Sequence, residues 1–101
     1  MIFKHAVHVR GGFNSSYVFT SKELMESWIK TKIPYLIMVY KDISYSVIDL
    51  PGLQVGEECR VHGDGDEVYR ITGLIPYNEN RYGFILDSGF VEEVVKCYKV
   101  A

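Results

Sequence analysis

Cysteine is scarce in this chain. Cys59 and Cys97 are its only two, too few for the disulfide frameworks that staple small secreted domains. Basic residues are never bunched. No run of them exceeds two, and the formal net charge is −2, so nothing predicts the clustered Lys and Arg that phosphate-backbone binding needs. No apolar run approaches the length of a membrane span. Met1 leads straight into IFKHAVHVR, which carries charges every few residues, so no secretory leader is expected. These absences point to a soluble protein of a reducing, cytoplasmic compartment with no membrane partner.

Catalytic and metal signatures are missing too. None of the serines lies in a G-x-S-x-G elbow, and there is no phosphate-binding loop of the P-loop type. Asp64 and Asp66 begin a D-x-D, but Tyr69, Ile71 and Thr72 follow where a calcium loop needs oxygen ligands. Glycine and aspartate tolerate left-handed turn conformations, so HGDG reads as a hairpin turn. His5 and His8 are three apart on strand-like sequence and point to opposite faces, as do the members of Glu57-Glu58 and Glu92-Glu93. No zinc spacing, no acid/base pair and no cofactor motif emerges. An enzyme is not expected.

What is present is aromatic-rich. The chain of 101 residues is one domain by size, and aromatics make up 14% of it, eight of them tyrosines. Tyrosine suits strands first and half-wet contact surfaces second. Ile2 to Arg10 alternates as a strand, GGFNSS reads as a turn or loop, and Tyr17 to Phe19 completes a hairpin. Thr20 and Glu23 form a capping box, with Phe19 and Leu24 as staple, that predicts a helix from about Ser21 to Lys30. Pro34 is expected to end it. Tyr35 to Tyr40 reads as a buried central strand, turning at Lys41-Asp42 into a half-exposed partner, Ile43 to Leu50. Pro51-Gly52 marks the only internal boundary. Four short strand-like runs follow, separated by HGDG, PYNEN and SGF.

The segment from Val55 onward resembles a small Src-homology-3-like barrel of the Tudor type. Val55, Gly56, Cys59 and Val61 hold the opening strand's pattern, with cysteine in a valine position. Tyr69, Ile71, Gly73, Leu74, Phe84, Leu86 and Gly89 sit where the later strands and turns fall. The resemblance covers about half the chain, and residues 1–50 match no known pattern. It implies a binding module more often than an enzyme. It also implies that the first and last strands are neighbours, which would bring Cys59 near Cys97. Two buried thiols filling small core positions is the preferred reading of that pair.

The expectation is therefore one α+β domain over 1–101. It comprises a β-hairpin, one helix and a second β-hairpin in residues 1–50, then a four-strand barrel or sheet in 53–101. Trp28, Leu24, Leu36, Met38, Ile71, Phe84 and Leu86 are its expected core. Its expected function is non-enzymatic protein binding, as in a bacterial or phage accessory protein that acts on a partner protein. The contact surface would be Tyr77, Asn78, Asn80, Arg81 and Tyr82, since loops on rigid frames and Tyr/Arg hot spots favour recognition. The alternative is nucleic-acid binding through Lys4, Arg10, Lys30, Lys32, Arg60, Arg70 and Arg81, if these cluster in space. A small enzyme stands third.

Overall fold

A computed structural model describes Met1–Ala101. The chain is α+β, with one helix and two antiparallel sheets. The first sheet has the order β2-β1-β3, from β1 (His5–Arg10), β2 (Asn14–Phe19) and β3 (Ser44–Asp49). The helix α1 (Lys22–Val39) lies between β2 and β3 in sequence. The second sheet has the order β7-β6-β5-β4-β8. Its strands are β4 (Glu58–Val61), β5 (Tyr69–Asn78), β6 (Arg81–Leu86), β7 (Val91–Glu93) and β8 (Cys97–Lys99), with one turn of 3-10 helix, Val94–Lys96, before the last.

The alternation of β1 makes a three-layer molecule. Val7 and Val9 face α1 and are buried with Phe19, Met25, Trp28 and Ile33. Ala6 faces the other way, into a core with Phe3, Val18, Leu53, Ile71, Phe84 and Leu86. The first sheet is thus sandwiched between the helix and the second sheet, and its central strand is buried on both sides. Leu53, just past Pro51-Gly52, is part of the shared core.

The helix differs from the sequence expectation at both ends. Ser21, not Thr20, is the N-cap, and its Oγ accepts from the Leu24 amide at 3.2 Å. Leu24 is exposed, so the expected staple does not bury it. At the other end, α1 runs straight through Pro34 to Val39, and the strand expected over Tyr35 to Tyr40 is helical instead. An interior proline costs about 3 kcal/mol. Ile33 is buried and Leu36 partly buried on either side of it, and this packing carries the helix across the break. The cost of the extension is visible on the surface, where Met38, expected in the core, is 82% exposed.

With no strand at Tyr35 to Tyr40, β3 pairs with β1, in the register Val7↔Val47. The Gly11-Gly12 turn joining β1 to β2 is crossed closely by the chain after α1. A Cβ on Gly11 would stand 2.6 Å from the Asp42 carbonyl oxygen, and φ there is +139°. The ring of Tyr40 leaves no room for a Cβ on Gly12 and packs edge-on against Phe13. Both glycines are therefore dictated by close approach as well as by turning.

Candidate functional site

The segment Ile75 to Phe84, expected to be a contact loop, is mostly strand. β5 continues through Asn78 and β6 resumes at Arg81, leaving only Glu79 and Asn80 as the turn. A register shift between Pro76 and Asn78 accommodates the proline. The hairpin tip braces the layers. Asn80 adopts φ +57°, its carbonyl accepts from the Val18 amide at 2.7 Å, and its side-chain amide donates to the Val18 carbonyl at 3.4 Å. Glu79 reaches Lys32 of the helix at 3.6 Å. Tyr82 packs on Phe3 with ring centroids 4.7 Å apart.

Arg81 pairs with Glu93 at 2.7 Å. The end of the Tyr77 ring lies over Gly83, and burial pushes its hydroxyl pKa up, with Glu93 and Glu92 adding to the shift. Of the five residues singled out in the sequence, Asn80, Arg81 and Tyr82 are thus engaged within the molecule. Tyr77 and Asn78 keep exposed surface.

Several of the cations invoked for nucleic acid have partners within the chain, and Arg60 and Arg70 lie on the adjacent strands β4 and β5. Lys32, Arg70 and Arg81 each face a carboxylate, Arg60 donates to the Asp66 carbonyl, and Lys30 sits on the exposed side of α1.

A different set of residues forms the largest cavity, a cleft of about 340 Å³. Three segments distant in sequence build it. The β4–β5 turn supplies His62, Gly63 and Asp64, the β6–β7 turn supplies Ser88 and Phe90, and Glu92 and Lys96 close the wall. Gly63 and Gly65 take φ +88° and +64°, so the expected tight turn does form at GDGD. The turn also has chemistry. The Tyr69 hydroxyl donates a short hydrogen bond to the Asp64 carboxylate. That bond, with burial and the charges of Asp64, Glu67 and Glu92, pushes the Tyr69 pKa up to about 12.

None of these three carboxylates takes part in an ion pair. They do not converge as a ligand set for a metal ion. Phe90 is 71% exposed beside them, and His62 is held by stacking on Tyr98 at 4.5 Å between centroids. The cleft is an acidic, aromatic-edged surface with one opposing lysine.

Sequence reasoning missed Tyr69, Phe90, Glu92 and Lys96 as a group, because only the fold brings their turns together. One signal was available. Phe90 in the turn SGF is an exposed aromatic on a turn, where contact residues concentrate.

The thiols lie at the opposite extreme of exposure. Cys59 and Cys97 occupy neighbouring strands, β4 and β8, in the register Val61↔Cys97, and both are free and buried. Burial, reinforced by Cys59, pushes the Cys97 thiol up to about 12, and burial raises Cys59 as well. A thiol raised in the folded state ionises first in the unfolded chain. Stability is therefore expected to be unaffected below pH 9 and to fall as pH rises from there towards 12. Ellman titration at pH 8 should label neither thiol in the native protein and both in denaturant. Rapid native labelling would contradict this placement.

The chain matches no family model, no curated protein and no solved structure.

Proposed function

We propose that this protein is a non-enzymatic binding module that takes a Lys- or Arg-bearing segment of a partner protein in the cleft beside Tyr69. One observation carries the reading: Asp64 and Glu92 line the cleft together with Tyr69, and neither takes part in an ion pair. Two carboxylates against the single Lys96 leave the cleft net negative, which favours an incoming opposite charge and speeds its encounter. Phe90 offers an apolar and cation–π face to the stem and head of a long basic side chain.

The Src-homology-3-like reading of the second sheet is part of the proposal. It is supported by the pairing of the first strand with the last, and by the 3-10 turn that precedes that last strand. Binding rather than chemistry is supported by the cleft's contents. Its one histidine stacks on Tyr98, and the Ser88 hydroxyl accepts from the Phe90 amide.

Fluorescence anisotropy with a labelled Lys/Arg-rich peptide tests this reading. Binding is expected, with affinity falling as salt rises, and an acidic peptide of equal length should not bind. Equal binding of both peptides, or of neither, sinks the proposal. A labelled single-stranded oligonucleotide serves as the comparison, and tight, salt-sensitive binding to it would favour the nucleic-acid alternative.

A further inference from the structure

We propose that β3 is a self-pairing edge, and that a second copy of this chain adds its own β3 antiparallel to it, joining two three-stranded sheets into one of six strands. The two edges of the first sheet are treated differently. On β2, the outward amide and carbonyl of Val18 are both taken by Asn80. On β3, all six residues are exposed, and nothing covers the strand.

The phase of its hydrogen bonds can be read. Leu50 donates to the Lys4 carbonyl at 2.9 Å. By alternation Ile48, Ser46 and Ser44 then bond β1, while Tyr45, Val47 and Asp49 turn their backbone groups outward. The edge is lightly protected: no lysine, proline or bulge lies between Ser44 and Asp49, and its one charge is Asp49 at the end of the strand.

The side chains suit a second copy of the same strand. A two-fold axis at Ser46 pairs Tyr45 with Val47 of the second copy, and Val47 with its Tyr45. Both pairs use the outward backbone groups, and both are the aromatic–β-branched kind that stabilises antiparallel strands. Ser46 meets Ser46, Ser44 meets Ile48, and no like charges face each other directly.

The helix adds apolar surface along the same seam. Trp28, Lys32 and Tyr35 share a cavity with Tyr17, so that flank of α1 lies over β2. Helical periodicity puts Ile37 on the opposite flank, beyond the buried Ile33. Ile37, Tyr45 and Val47 are 48%, 45% and 50% exposed, on the side of the sheet that the helix occupies. A strip of this kind, continuous with an open backbone edge and self-complementary in register, fits a second copy better than an unrelated partner.

Sedimentation velocity across a concentration series, with two variants, tests this. The wild-type chain should dimerise, and Val47→Lys should weaken the dimer by at least about tenfold while leaving the far-UV circular dichroism unchanged. Ser46→Cys, an exposed substitution that does not depend on how Val47→Lys folds, should give a disulfide-linked dimer on mild oxidation. The axis places the two Cβ atoms opposite each other in a non-hydrogen-bonded pair, and the native thiols are buried. A monomer at every concentration overturns the proposal and leaves the edge to a strand of a different protein. A dimer that is indifferent to Val47→Lys, or that Ser46→Cys fails to cross-link, overturns it as well.

Discussion

Replacing Phe84 with alanine is expected to cost about 3–5 kcal/mol and to loosen both halves of the molecule together. Phe84 is 1% exposed and is the largest of the fully buried side chains. It sits on β6 between β5 and β7, in the register Leu74↔Phe84 and Phe84↔Glu92. Its core also holds Phe3, Ala6 and Val18, which belong to the first sheet and the segment leading into it. Domains of this size have about 5–15 kcal/mol to lose, so the variant should be marginal.

Trp28 is the only tryptophan, and it reports from the far layer, between α1 and the first sheet. Urea unfolding followed by its fluorescence should therefore shift to lower denaturant by the same amount as the far-UV circular dichroism. A Trp28 transition left in place while the second sheet melts would mean two independent units rather than one shared core.

Reversing the charge of the cleft is expected to weaken basic-peptide binding by about a hundredfold, roughly 2.7 kcal/mol. The variant is Glu92→Lys on the cleft wall with Glu67→Lys on the β4–β5 turn beside it. Neither side chain forms an ion pair, so their loss leaves no cation stranded. Asp64 is kept because it accepts the Tyr69 hydroxyl and helps hold the turn. The expected loss comes from two sources, removal of attraction and creation of like-charge contacts, and the second is the larger penalty in confined sites. Thermal stability should change little at the exposed Glu67, where surface charges seldom matter by more than about 0.5 kcal/mol, and somewhat more at the half-buried Glu92 opposite Phe84. Retained affinity in this variant would remove Glu67 and Glu92 from the binding surface.

Much of the fold was legible because much of it is local. The first hairpin, the start of the helix and the turns at HGDG and SGF rest on residues adjacent in sequence. The helix start was misread by only one position, because Thr20 and Ser21 are both good caps and only the backbone chooses between them. Tyr35 to Tyr40 was misread for a tertiary reason. Six apolar residues after a proline look like a strand, and only burial of Ile33 and Leu36 against the sheet keeps the helix intact. That error carried the pairing of β3 with it.

PYNEN was taken for a loop because Pro and Asn are turn formers. A two-residue turn and a bulge let the strands run almost through it. The cleft was illegible because its walls come from turns more than twenty residues apart, from His62 to Lys96. Within HGDG, Asp64 looked sufficient as a turn residue, and its hydrogen bond to Tyr69 depends on where β5 returns.

The most direct test of the binding account is a map of amide chemical shifts in the isotopically labelled protein as the Lys/Arg-rich peptide is added. The largest changes are expected at His62, Gly63, Asp64, Ser88, Phe90 and Lys96, with the hairpin tip at Glu79 and Asn80 unmoved. Changes centred on Tyr77 and Asn78, or scattered over the surface with no focus on the cleft, would contradict it.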